Sequence, residues 1–262
     1  MTLLDTRART GAVAGINPVA KLAASALIAL PLILTLDWVS AAVALVLESL
    51  LFLFAGLGWR EFWLRTLPVW IAAPLTALTI ALYGEASGQV YVEWFVIRIS
   101  EGSLTLAVAT LFRVLAVALP SVVLFVTVDP TDLADGLAQI VRLPARFVLG
   151  ALAGLRMVGL FLDDWRALEL ARRARGVADR GRVRRFVGMA FALLVLSIRR
   201  GSKLATAMEA RGFGAPGRRT WARESRFGGR EWALVAIGAA ISAVAVASAV
   251  AAGTWNFILG PG

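Results

Sequence analysis

Long apolar stretches separated by short charged ones fill the first half of the chain and recur near its end. A helix needs about 20 mostly apolar residues to cross the hydrocarbon core of a bilayer. Five stretches approach or reach that length. We therefore predict five transmembrane helices, at residues 22–36, 38–58, 67–83, 103–128 and 232–252. A tight turn at Asp37 joins the first two into a hairpin.

The charges between the predicted spans indicate how the spans are oriented. Cytoplasmic loops of membrane proteins carry an excess of lysine and arginine. The loop at residues 84–102, before the fourth span, has three glutamates and one arginine, so we place it outside. The N-terminus is predicted to be cytoplasmic, because basic residues stand before the first and third spans: Arg7, Arg9, Lys21, Arg60 and Arg65.

The segment between the fourth and fifth spans is too charged to be more membrane and too long for a loop. Pro130 and Pro144 delimit a short helix, and two long helices follow at residues 145–174 and 183–210. Both begin apolar and end charged, which is typical of a helix that lies along or beside a membrane face. The predicted organisation is residues 1–128 with four spans, 129–230 as a cytoplasmic domain, and 231–262 with the last span and a short tail.

The composition limits the chemistry that this chain can perform. It is 59% hydrophobic with a formal net charge of +10, and it contains neither histidine nor cysteine. That composition excludes disulfides, thiol nucleophiles, thiolate or imidazole metal sites and histidine acid/base catalysis. No stretch matches the phosphate-cradling G-x-x-x-x-G-K-[ST] loop. We expect no catalytic residues, no metal site and no cofactor, and any ATP hydrolysis to occur on other chains.

The two long helices are predicted to end with the same motif. One ends at Ala174-Arg175-Gly176 and the other at Ala210-Arg211-Gly212. In both helices, another alanine stands three residues before the alanine of the motif. Glycine just past a helix adopts the left-handed conformation, and arginine in the last turn faces the negative end of the helix dipole. A single copy is explained as a helix stop. Two copies favour docking, because a guanidinium on a rigid tip suits a carboxylate or carbonyl cluster on another protein.

Three motifs together resemble one known family. They are Asn-Pro-Val-Ala-Lys-Leu at residues 17–22, Asp-Pro-Thr-Asp-Leu at 129–133, and the paired Ala-Arg-Gly ends. The chain resembles the T component of energy-coupling factor transporters over nearly its whole length, most specifically at residues 129–214. The fold expected is an all-α membrane protein with about five transmembrane helices and a cytoplasmic coupling domain of two long crossed helices.

The resemblance also implies partners and site residues. A T component joins two ABC-type ATPase subunits, which bind ATP and Mg, to a small membrane protein, the S component, that carries a vitamin or transition-metal ion. Each Ala-Arg-Gly tip would insert in a groove of one ATPase. The apolar halves of the long helices are candidates for the S-component surface, with ordinary intramolecular packing as the alternative, at Gly150, Gly154, Gly159, Phe161 and Phe186.

Two ionisable residues fall inside the predicted spans. Arg113 lies near the middle of the fourth span and Glu48 in the second. A charge at this depth is costly and normally faces protein or water. We predict that these two residues pair as a brace between helices.

Other functions are less consistent with these observations. A self-contained secondary transporter or channel would be expected to contain several ionisable residues inside its spans. A metal-dependent lipid transferase is suggested by Asp132-x-x-Asp135-Gly136, but the second pair of aspartates in that signature is missing. Lipid headgroups explain one further basic cluster without nucleic acid, namely Arg218, Arg219, Arg223, Arg226 and Arg230.

Overall fold

The computed structural model describes residues 13, 15–35, 37–52, 58–84, 87–94, 97–176, 181–215 and 220–255. Glu85 of the acidic loop and Arg218 and Arg219 of the basic cluster lie outside these residues. The described chain forms helices α1 (Pro18–Leu34), α2 (Trp38–Phe52), α3 (Trp59–Tyr83), α4 (Glu101–Val126), α5 (Pro130–Gln139), α6 (Ala145–Ala174), α7 (Arg182–Ala210) and α8 (Gly229–Ala251), and strands β1 (Val90–Trp94) and β2 (Ile97–Ser100).

The helices agree closely with the predicted spans. Four of them, α3, α4, α6 and α8, are long and apolar enough to cross a membrane, and α1 and α2 are shorter apolar helices. The prediction of an all-α membrane protein is therefore confirmed. The two long helices of the predicted coupling segment correspond to α6 and α7. That α6 lies on the cytoplasmic side stays a prediction, since its composition would also permit a crossing.

A short β-hairpin occupies part of the loop that was predicted to lie outside. β1 and β2 pair antiparallel, and Glu93 stands opposite Arg98 with Oε1 and Nη2 2.8 Å apart. The Ser100 side chain then caps α4 by accepting a hydrogen bond from the Ser103 amide. The run Val90-Tyr91-Val92 is too short to stand out beside the long apolar spans. The hairpin was therefore not predicted from the sequence.

The chain divides into two compact units. The membrane unit contains residues 6–136 and 225–262, and the helical unit contains residues 137–224. Helices α1 to α4 and α8 belong to the first unit, and α6 and α7 to the second. The wider cytoplasmic domain predicted for residues 129–230 includes the whole helical unit, and its place in the cytoplasm stays a prediction.

Small residues form much of the core of the membrane unit. One cluster joins α1, α2, α4 and α8 through Ile28, Leu32, Ala41, Ala44, Ala116, Ile241 and Ala245. α1 and α8 approach closely, since a Cβ added to Gly238 would lie 3.0 Å from the Cα atom of Ala24. Membrane helices pack through such small residues because they let the backbones approach. Gly238 therefore sets the spacing between α1 and α8.

We expect Gly238→Leu to destabilise the membrane unit, because its side chain would push against the backbone of α1. Overpacking of this kind costs about 1–3 kcal/mol. The measurement is the thermal unfolding midpoint in detergent. Ala239→Leu is the matched control, since Ala239 is exposed on the same helix. Equal midpoints for the two variants would show that the contact between α1 and α8 is not close in solution.

Candidate partner-docking site

The Ala-Arg-Gly motif at the end of α7 forms a complete helix cap. The last helical residue is Ala210, and Arg211 follows with φ −91°. Gly212 takes a left-handed conformation with φ 78°. Its amide donates to Glu209 O at 2.9 Å, and the next amide donates to Met208 O at 2.9 Å. This pair of bonds is a Schellman motif, which satisfies carbonyls that the helix end leaves without partners.

The motif at the end of α6 has the same geometry. Arg175 follows the last helical residue, Ala174, with φ −87°, and Gly176 has φ 67°. The Gly176 amide donates to Arg173 O at 3.0 Å, the counterpart of the first bond in the other cap. The repeated sequence thus produces a repeated local structure. Both arginines leave their helices at the same position relative to a fixed turn.

Both tips are exposed. All six motif residues lie on the surface of the described chain. Within that part of the chain, neither Arg175 nor Arg211 makes a side-chain hydrogen bond or ion pair, whereas the neighbouring Arg173 donates to Glu169 Oε1 at 2.9 Å. Each tip therefore presents a guanidinium that can bind carboxylate or carbonyl oxygens of another molecule.

Ion pairs hold α6 and α7 together in the helical unit. Glu169 Oε1 accepts a hydrogen bond from Arg185 Nη2 at 2.6 Å. Asp164 Oδ1 accepts one from Arg200 Nη2 at 3.0 Å, and Arg200 Nη1 lies 3.0 Å from the other carboxylate oxygen. The contacts run antiparallel, because the earlier residue of α6 meets the later residue of α7. That the helices cross as the family resemblance implies stays a prediction.

An aromatic contact lies between these ion pairs. The rings of Trp165 and Phe186 are 5.6 Å apart between centroids, although the Phe186 side chain remains 61% exposed. Phe161 on α6 is half-buried. Phe186 is thus shared between the helix contact and the open surface, so one face of it stays available to a partner.

The first half of α6 is apolar and unusually open. An added Cβ at Gly150 or Gly154 would meet no atom within 4 Å in the described structure. Gly159, one turn or more further along, is half-buried. Large side chains around these glycines are exposed, including Phe147, Leu155, Val158, Leu160 and Leu162. Packing within the described part of the helical unit therefore does not account for Gly150 and Gly154, whose surface can contact lipid or protein.

The predicted brace between Arg113 and Glu48 is not formed. Arg113 instead donates a hydrogen bond from Nη2 to Thr35 O at the end of α1. Glu48 is 1% exposed, and neither carboxylate oxygen has a hydrogen-bond partner within the described residues. It borders a cavity of about 530 Å³ lined mainly by apolar side chains of α1, α2, α4 and α8. The position of a residue along a span does not show which face of the helix its side chain occupies.

The two other motifs of the family resemblance meet in the membrane unit. Lys21, from the first motif, is 1% exposed, and its Nζ donates to Thr127 Oγ1 at 2.7 Å. Thr127 ends α4 two residues before Asp129, whose Oδ1 accepts from the Thr131 amide at 2.7 Å and so starts α5. Thr127 was missed by the sequence analysis, because only the fold brings it to the lysine.

Comparison with known proteins now identifies the family. The model of the cobalt transport protein family (CbiQ) matches residues 12–221, well over half of the 262 residues. The chain belongs to the CbiQ family. This is a family of transporter components and not of enzymes. The resemblance to the T component of energy-coupling factor transporters is thereby confirmed.

Several relatives in the CbiQ family are named energy-coupling factor transporter transmembrane protein EcfT. Those of Limosilactobacillus fermentum and Lactococcus lactis are 29% and 30% identical to this chain, over 63% and 61% of its length. The matches span 66% and 64% of those relatives, just under two thirds. A third, from Staphylococcus aureus, is 23% identical over 74% of this chain and 75% of its own.

The conformation of the tip glycines gives a test of the caps in this CbiQ-family chain. Gly212→Val should loosen the last turn of α7, because a left-handed conformation costs a residue with a Cβ about 1–2 kcal/mol. Amide hydrogen exchange of residues 207–212 should become about five- to thirtyfold faster. Gly212→Asn should change it little, since asparagine tolerates this conformation.

The matched control for this test is Gly201→Val within α7. An added Cβ there also meets open space, and no positive φ is involved. If Gly201→Val and Gly212→Val accelerate exchange at residues 207–212 equally, the cap is not what fixes the tip.

Proposed function

We propose that this chain is the coupling subunit of an importer, and that it links two ABC-type ATPase subunits to a small substrate-binding S component. The observation that carries the proposal is the pair of tips. Two long helices end in the same cap, and each cap exposes an arginine whose side chain has no partner among the described residues. Two equivalent docking points suit a motor made of two similar subunits. ATP and Mg would be bound by those subunits.

The long helices are stiff, so each would transmit a displacement along its length. At 1.5 Å per residue, the 30 residues of α6 extend about 45 Å. The ion pairs of Asp164 with Arg200 and of Glu169 with Arg185 would make the two helices move together. When ATP draws the ATPase subunits towards each other, a displacement at the tips would therefore reach the apolar half of α6.

That apolar half is the surface we propose for the S component. Gly150 and Gly154 offer close approach to another helix, and the large apolar side chains beside them are exposed. A change in this surface would alter how the S component is held, so that its site opens to one side of the membrane and then the other. The cargo would be a vitamin or a transition-metal ion. In this arrangement the N-terminus and the helical unit are cytoplasmic, and no nucleic acid is involved.

Charge reversal at the tips tests the motor contact. Arg175→Glu and Arg211→Glu should each lower the recovery of ATPase subunits with this chain, and the double variant should abolish it. Reversal puts like charges in a desolvated contact, and losing one such charge pair costs at least about tenfold in affinity. The measurement is the amount of ATPase co-purified from membranes in mild detergent.

Arg199→Glu is the control for the tip variants. Arg199 is an exposed arginine of α7 that lies three turns before the tip. It should leave the recovered ATPase unchanged. Full recovery of ATPase by the double tip variant would mean that the paired motif only ends helices, and a self-contained transporter would then be the better interpretation.

Bulky substitutions on α6 test the S-component surface separately. Gly150→Trp and Gly154→Trp should each weaken binding of the S component about 5- to 150-fold, because overpacking of a close helix contact costs about 1–3 kcal/mol. The ATPase subunits should stay bound, since the tips are intact. Gly201→Trp on α7 is the matched control, because it too faces open space. An S component that stays bound to both α6 variants would place its contact elsewhere.

A further inference from the structure

The membrane unit and the helical unit are joined, within the described chain, at two places. The chain leaves the membrane unit after Gly136 and returns to it at Ser225. Any displacement of α6 and α7 that is passed along the described chain goes through these two connections. How firmly they are held therefore determines how much displacement is lost before it reaches the spans.

One side chain in the membrane unit holds both connections. Asn17 Nδ2 donates to Ser225 Oγ at 2.8 Å and to Arg226 O at 3.0 Å. On the outgoing side, Gly136 is buried, and a Cβ added to it would lie 3.0 Å from Asn17 Oδ1 and 2.7 Å from Val19 Cγ2. Only glycine fits there without a shift. Asn17 thus lies between the outgoing and the returning chain.

The same residue is fixed to the spans. Its Oδ1 accepts a hydrogen bond from the Val19 amide at 3.0 Å and caps α1, and its own amide donates to Glu231 Oε1 at 3.3 Å in the first turn of α8. Glu231 also accepts from the Gly228 amide at 2.9 Å. Asn17 therefore ties the two connections to α1 and α8, which also contact each other at Gly238.

The helical unit repeats this arrangement on its own side. Gln139 Nε2 donates to Arg223 O at 2.9 Å, which joins the outgoing chain to the returning chain a few residues beyond the first tie. The two connections are thus held side by side within each unit. Because hydrogen bonds join them, neither connection can move far without the other, and we call the pair a joint.

We propose that Asn17 is a positioning residue for coupling, which holds the two connections as a single joint so that displacement of α6 and α7 reaches α1 and α8. This inference rests on the function proposed above. The Asn-Pro motif is then part of the transmission and not only a helix start, and Gly136 and Ser225 are its two partners.

The test follows movement directly, so it does not depend on knowing the cargo. The chain has no cysteine, so Gln89→Cys next to β1 and Ala251→Cys at the end of α8 provide the two attachment sites for donor and acceptor dyes. A change in energy transfer then reports movement of α8 within the membrane unit. Both positions are exposed. The labelled chain is then assembled with its ATPase subunits, and the change in energy transfer on adding ATP is measured beside the bound ATPase and its hydrolysis rate.

Asn17→Asp is the decisive variant, because it keeps the shape and the α1 cap but places a carboxylate oxygen where the amide donated to Arg226 O. We expect the ATP-dependent change in transfer to be lost while ATPase binding is retained, and the lost hydrogen bonds to lower the thermal midpoint as well. Ser225→Ala should reduce the change, and Ser225→Thr, which retains a hydroxyl, should preserve it. Gly238→Leu lowers the midpoint without removing these hydrogen bonds and should keep the change; if it loses the change as Asn17→Asp does, the role of Asn17 is purely structural.

Gly136 provides an independent rescue. Gly136→Ala should also suppress the change, and adding Val19→Ala should restore part of it, since the closer of the two contacts, with Val19 Cγ2, is then absent while that with Asn17 Oδ1 remains. If Asn17→Asp moves with ATP as fully as the unsubstituted chain, the joint is refuted while the coupling function stands. If the unsubstituted chain binds ATPases but does not move with ATP, the coupling function fails and the joint with it.

Discussion

The satisfaction of polar groups at the start of α1 is the constraint on which the rest of the structure depends. In an apolar environment, an unpaired charge or amide is costly, so each must find a partner inside the protein. Lys21 meets this need at Thr127, at the end of α4. Asn17 meets it at Ser225 and Arg226, just before α8. These contacts bring the beginning, middle and end of the chain to one place.

The helical unit is held together by different contacts. Its charges pair between α6 and α7, whereas much of its apolar surface stays exposed. A monomeric soluble protein rarely leaves a large contiguous apolar surface uncovered, so such a surface marks contact with a membrane or a partner. The arginines that follow the two helices are exposed as well. A structure of this kind is incomplete alone, which agrees with its membership of a family of transporter components.

The two units are stabilised in different ways. The membrane unit gains stability from small residues in close contact, such as Gly238 on Ala24, and holds its shape. The helical unit gains rigidity from helix length, caps and ion pairs, and presents surfaces to others. Within the described chain, the two units are joined at two places, after Gly136 and before Ser225.

The sequence by itself determined the helices, because span length, proline positions and glycine stops are local properties. The bounds of α6 and both Ala-Arg-Gly ends were predicted to the residue. Tertiary structure alone decided the partners of the isolated charges. Arg113 bonds Thr35 and not Glu48, and Lys21 bonds Thr127, because the rotation and depth of each helix depend on packing against all its neighbours. No local pattern records that packing, so contacts more than a hundred residues apart in sequence appeared only in the fold.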